Sequence, residues 1–97
     1  MQMEQAAKAD VTILDEPTAV SILLLIDKRG EARAFDLRQI AGGYDRMKNL
    51  TKRMESIGLL KIRIEEKPRL TYLYSLTPKG KKVAAKLMEI DEIIRSP

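Results

Sequence analysis

Apolar residues recur along this chain with two different periods, and the changes of period mark out its elements. Five aliphatic residues stand in a row from Ile22 to Ile26. With Val20 they make residues 17–28 apolar on most sides, as a buried central helix is. Asp15-Glu16-Pro17-Thr18 has the form of a helix start, an acidic cap and then Pro in the first turn. Lys28-Arg29 suits the negative end of the helix dipole, and Gly30 stops the helix. From Phe35 to Leu60 the pattern turns amphipathic. Leu37, Ile40 and Ala41 form one short apolar face, with Asp36 as its expected cap and Phe35 as a hydrophobic staple. Gly42-Gly43 interrupts it, because paired glycines admit the positive φ of a tight turn. From Asp45 on, Met47, Leu50, Met54 and Ile57 recur at three- and four-residue steps, and Gly58 stands where helices commonly end in a left-handed cap.

After Gly58 the period drops to two. Leu60, Ile62 and Ile64 alternate with Lys61, Arg63 and Glu65, then Leu70, Tyr72, Tyr74 and Leu76 with Thr71, Leu73 and Ser75. Glu66-Lys67-Pro68-Arg69 reads as the turn between them, so the two runs form a β-hairpin with a basic tip. Thr77-Pro78 then opens a last helix, residues 78–95, with Val83, Leu87, Ile90 and Ile94 in a stripe and Ala84 and Met88 beside it. Glu31 to Ala34 is a connection or a stub of strand. Val11 to Leu14 is open to three readings: an extension of the first helix, a strand, or a cover for a partner subunit. The expected division is an N-terminal extension, residues 1–14, and one domain, residues 15–97.

Composition narrows the chemistry. With 97 residues the chain is the size of one domain, and at 44% hydrophobic and 33% charged it fits a folded one. A domain this short buries only about 60–65% of its unfolded surface, so association would add to a thin core. No apolar run is long enough to span a bilayer and no cleavable signal pattern precedes the first helix, so a cytoplasmic location is expected. Cysteine and histidine are both absent. Disulfides, thiolate sites, imidazole catalysis and most transition-metal sites go with them. No Gly-rich phosphate loop, metal-ligand spacing or nucleophile–base pair appears, so neither an enzyme nor a cofactor is expected.

The net charge of +4 is unevenly placed. Residues 1–16 carry a net −3 and residues 28–53 a net +5. The helix that follows the Gly-Gly turn shows Arg46, Lys48, Asn49, Lys52 and Arg53 on the face opposite its apolar stripe. On an isolated helix that is an ordinary wet face. On the second helix of a helix-turn-helix it is a DNA-contacting face. Lys and Arg supply phosphate contacts there, Asn49 has the groups to read adenine bidentately, and Arg46 those to read guanine. Tyr44, at the helix start, is either a core residue or a phosphate donor. Lys67 and Arg69 at the hairpin tip read as phosphate or minor-groove contacts, while Tyr72 and Tyr74 read as packing.

The order helix, helix-turn-helix, hairpin, helix is that of a winged helix, mainly α with a small β-hairpin. At Ile57-Gly58-Leu59-Leu60 and Leu76-Thr77-Pro78-Lys79-Gly80 the chain resembles the winged helix-turn-helix regulators of the MarR, PadR and HxlR kind. In those a Gly-Leu step leads from the recognition helix into the wing, and an LTPKG-like element closes it. The Asp15-to-Thr18 stretch is similar to the start of ArsR-type domains, though the lack of Cys and His speaks against the metal-sensing branch. The chain departs from the pattern at Gly42-Gly43-Tyr44, which replaces the usual apolar residue of the turn. The resemblance covers residues 15–95 and implies a sequence-specific double-stranded DNA-binding regulator, a repressor, acting as a homodimer. The stripe Val83, Leu87, Ile90 and Ile94 is its expected dimer seam. A winged helix used only for protein–protein contact is the rival, and it predicts apolar residues on the recognition face. Operator and any small-molecule effector stay open.

Overall fold

The computed structural model describes residues 10–97; residues 1–9, most of the expected N-terminal extension, lie outside the described residues. A 3-10 segment, Asp10–Asp15, precedes α1 (Ala19–Arg29), β1 (Ala32–Arg33), α2 (Ala34–Ala41), α3 (Tyr44–Ser56), β2 (Leu60–Glu65), β3 (Thr71–Leu76) and α4 (Pro78–Arg95). The hydrophobic pattern makes α1 the hub. Its Ala19, Ile22, Leu23 and Ile26 are buried in one core with Leu37 of α2, Met47 and Met54 of α3, Leu60 of β2 and Ala84 of α4. Burying a large aliphatic side chain stabilises by roughly 1.5–3 kcal/mol, so the helix that is apolar on most sides is the one the others surround.

The starts of α1 and α2 differ from expectation. Thr18 has φ of +69°, in the left-handed region, so Asp15-Glu16-Pro17-Thr18 is a turn ahead of α1 and not its first turn. No side chain caps α1. The turn is held by its backbone: the Glu16 N–H donates to the Ile13 carbonyl at 3.2 Å, and the Ala19 N–H to that of Glu16 at 3.1 Å. Val11 to Leu14 is neither a strand nor part of α1; it belongs to the 3-10 segment, which buries Ile13. α2 begins at Ala34, ahead of its expected cap. Asp36 therefore lies inside the first turn, where its carboxylate accepts the Arg33 N–H at 3.3 Å and pairs with Arg29 at 3.0 Å. Phe35 is exposed and staples nothing.

The sheet is antiparallel with order β1-β3-β2. The stub of strand pairs Ala32 with Tyr74 and Arg33 with Leu73, while the hairpin pairs Leu60 with Leu76 through to Glu65 with Thr71. Alternation holds near the core, where Leu60, Tyr74 and Leu76 are buried, and fails farther out. Leu73, on the opposite face, is also buried; it lies between Arg33 and Arg63 of the adjacent strands, whose aliphatic stems can cover it. Ile64, Leu70 and Tyr72 approach the hairpin tip and are exposed.

The end of α3 and the start of α4 satisfy each other. Gly58 (φ +83°) turns the chain out of α3 in a Schellman motif: its N–H donates to Glu55 at 3.0 Å and that of Leu59 to Met54 at 2.9 Å. Lys79 donates to the Ile57 carbonyl at 2.7 Å. The Thr77 hydroxyl donates to the Gly58 carbonyl at 2.5 Å and accepts the Gly80 N–H at 2.9 Å, which caps α4. Gly80 lies so close that a Cβ there would overlap the Leu59 carbonyl oxygen. Gly80→Ala is therefore expected to destabilise by about 1–3 kcal/mol, and Thr77→Val by about 1–2 kcal/mol through the lost cap. Each kcal/mol should lower the melting midpoint by about 4–8 °C in a domain of this size. A Gly80→Ala protein that melts with the wild type would contradict the close approach.

Candidate nucleic-acid interface

The helix-turn-helix is built from α2, the Gly42-Gly43 turn and α3. Gly42 takes φ of +79°, and the N–H groups of both glycines donate to the Arg38 carbonyl at 3.1 Å. This closes α2 within two residues and lets α3 begin at Tyr44, one residue earlier than expected. Met47, Leu50, Thr51 and Met54 form the buried side of α3. Thr51 was legible only as a polar residue, yet its hydroxyl is satisfied inside the helix by the Met47 carbonyl at 2.8 Å, so it joins the core without loss.

Apart from the exposed Asp45, Glu55 and Ser56, the remaining side chains of α3 form two exposed stripes. Tyr44, Lys48 and Lys52 follow one another at four-residue steps, with the Lys48 ammonium 6.0 Å from the Tyr44 ring centre. Tyr44 is 49% exposed, which removes the core reading. Arg46, Asn49 and Arg53 make the second stripe. They line a groove of about 420 Å³ whose other wall is the turn ahead of α1, with Glu16 and Thr18. At the hairpin tip Lys67 and Arg69 are exposed. The structure thus brings Arg46, Asn49 and Arg53 to one concave surface, sets Tyr44, Lys48 and Lys52 beside it on the same helix, and carries Lys67 and Arg69 on a separate projection.

Ion pairing divides the basic residues. Among the described residues Arg46, Lys48, Lys52, Lys67 and Arg69 form no ion pair. Arg53 does, with Glu16. Arg63 is clamped between Glu31 at 3.0 Å and Glu65 at 2.8 Å, and these hydrogen bonds, Glu31 first, push its pKa further up. Burial raises the pKa of the Tyr74 hydroxyl, which fits its packing role. Glu16 is the site residue that sequence reasoning missed. It lies 37 residues from Arg53, so no local spacing could have signalled the contact.

On α4, Val83 and Leu87 pack partly against the core of their own domain. Farther along, Ile90, Ile93 and Ile94 are 50%, 72% and 75% exposed, and Met88 is exposed beside them. Ile93 and Met88 fall outside the four-residue stripe read from the sequence. Among the described residues no acidic cluster suited to a metal ion is present, and no helix is long and apolar enough to cross a membrane.

No protein-family model and no curated protein sequence matches the chain. Solved structures do. A transcriptional regulator homologue from Pyrococcus horikoshii superposes with a TM-score of 0.74 at 18% identity, over 97% of this chain and 95% of that one. The apo form of a Lactococcus lactis ZitR mutant gives 0.68 at 18% identity, over 96% of this chain and 72% of that one. A PadR family transcriptional regulator from Eggerthella lenta gives 0.62 at 17% identity, over 95% and 89%. At such identities the shared property is the fold, and the architecture expected from the hydrophobic pattern is the one present: a winged helix-turn-helix, mainly α, with a three-stranded sheet that includes the wing.

Proposed function

We propose that this chain binds double-stranded DNA with sequence preference and regulates transcription as a homodimeric repressor. The observation that carries the reading is the outer surface of α3, where Arg46, Lys48, Asn49 and Lys52 are exposed and the three cations have no ionic partner among the described residues. A helix of this width enters the major groove, where such side chains meet phosphates and base edges. Tyr44 is the sole exposed large hydrophobic residue of α3, so a purely protein-binding recognition face has little support. The regulators of similar fold add to the DNA reading by analogy alone. The rival reading would instead use the wing and the start of α2 beside it, where Ile64, Leu70 and Tyr72 of the hairpin and Phe35 of α2 are exposed.

The dimer follows from α4. Its outer turns extend three isoleucines and a methionine beyond the domain core, and leaving each in water forgoes roughly 1.5–3 kcal/mol. The radius of gyration, 14.5 Å, exceeds the roughly 12 Å of a compact domain of this length, in keeping with a projecting helix and wing. Pairing of α4 with its copy around a two-fold axis covers these residues. Two recognition helices about 34 Å apart then call for a roughly palindromic operator.

Four unpaired cations per subunit on the phosphate side of the reading, Lys48, Lys52, Lys67 and Arg69, give a dimer a log–log salt slope of about −7. A flat slope, or no duplex binding at low salt, would remove DNA from the reading and promote protein contact. Lys52→Ala should weaken binding equally on every sequence. Asn49→Ala or Arg46→Ala should cost about 1–3 kcal/mol at one base pair and relax preference there. If these variants respond alike across operator sequences, the division into phosphate and base contacts is wrong. For assembly, Ile90→Glu/Ile94→Glu is the cleaner variant, because Leu87 packs against its own domain. Sedimentation should show a dimer for the wild type and a monomer for the double variant at micromolar concentration. A dimer in both would place the seam elsewhere.

A further inference from the structure

Arg53 differs from the other cations of α3 in having a carboxylate partner, Glu16, from outside the helix-turn-helix. The Arg53 side chain is 55% exposed and that of Glu16 41%, and both line the groove that holds Arg46 and Asn49. Glu16 serves no helix cap, since α1 has no side-chain cap. It is nevertheless set in place. Its N–H and carbonyl are both tied within the turn, Pro17 restricts the backbone of Glu16 before it, and Thr18 is held in a left-handed conformation that disfavours a β-branched side chain. A turn carrying a strained residue thus presents a carboxylate to the surface proposed to meet DNA.

We propose that Glu16 is an internal competitor for DNA phosphate at Arg53. The inference rests on the DNA-binding reading. A carboxylate offers a guanidinium the same pair of anionic oxygens that a phosphate does, and the same planar fork of N–H groups meets either. Arg53 therefore engages the DNA backbone by giving up Glu16. An exposed ion pair is weak enough for that exchange, but the released carboxylate is left as a bare charge facing a polyanion. The penalty falls on every sequence alike, because a phosphate contact carries no base information. Its consequence is to restrain binding to DNA in general while the base-reading groups of Arg46 and Asn49 stay free.

Glu16→Gln keeps the shape and removes the charge. Measured by fluorescence anisotropy on a random-sequence duplex, it should tighten binding by about three- to fivefold per subunit at fixed salt and steepen the salt slope by about 0.9 per subunit. The gain should be the same factor on any duplex, and most of it should vanish in an Arg53→Ala background. Without DNA, the Arg53 Nη–H resonance, which belongs to the group that donates to Glu16, should shift in Glu16→Gln. An unmoved resonance overturns the inference. So does a Glu16→Gln protein that binds duplex as the wild type does, or more weakly; in that case Glu16 supports Arg53 instead of competing for it, and the DNA reading stands. A wild type that ignores duplex at low salt overturns both.

Discussion

A helix leaves its first amides and last carbonyls without partners, and in this chain two such ends meet at one place. The last carbonyls of α3 face the first turn of α4, and Thr77, Lys79 and Gly80 resolve both ends together. Thr77 bridges them by donating to one helix end and accepting from the other. Lys79 brings a cation to the carbonyl end of α3, the sign its dipole favours. Gly80 removes the side chain that would hold the two apart. The hairpin leaves from this junction and returns to it, so β2 and β3 start and finish within hydrogen-bonding distance: the Thr77 N–H reaches the Leu59 carbonyl at 3.1 Å. The position of the wing relative to α3, and that of α4 relative to both, descends from these few bonds.

Electrostatics then sorts residues that composition treats alike. Arg29 and Arg53 in the basic centre, and Arg63 in the wing, are tied to acidic partners, so fewer cations are free than the residue count suggests. Arg63 in particular links β2 to Glu31 at the end of the α1–β1 connection, which braces the wing against the body of the domain. The charges left unpaired on α3 and at the hairpin tip are those with no acidic residue placed to meet them. Exposed pairs contribute little to stability, typically below about 1 kcal/mol, so their effect is more to decide which cations stay available than to hold the fold.

Much of the fold was legible because its signals are local. The Gly58 cap, the Thr77-Pro78 start and the alternation from Leu60 to Ile64 each need only a few neighbouring residues to take effect, and β2 and α4 begin where those signals stand. The exposed face of α3 was legible for the same reason, since helical spacing alone separates Lys48 and Lys52 from Met47 and Met54. What was not legible depends on distant partners. The Asp15-to-Thr18 stretch has the composition of a helix start, yet Thr18 turns left-handed and delays α1. Asp36 is an equally good cap from either of two positions in the first turn, and composition does not choose between them. Leu73 reads as outward by period and is buried, with an arginine opposite it on each neighbouring strand. Glu16 reads as a cap and is instead the partner of a residue on another helix.

The proposed dimer and the proposed DNA surface are mechanically connected through the same junction. The N-terminal turn of α4 is bonded to the C-terminal end of α3, while the exposed isoleucines lie on its last turns. A continuous helix of 18 residues is a stiff rod of roughly 27 Å. In the proposed dimer, a change of angle between two such rods would be carried to the end of α3 instead of being absorbed along the way. Gly80 has no room to yield, because the Leu59 backbone lies against it. The spacing of two recognition helices would then be set by packing among Ile90, Ile93 and Ile94, residues that touch neither DNA nor the helix-turn-helix. Variation of those side chains would act on half-site spacing, while variation of Arg46 or Asn49 would act on base preference, and the two properties would be separable by position along a single helix path.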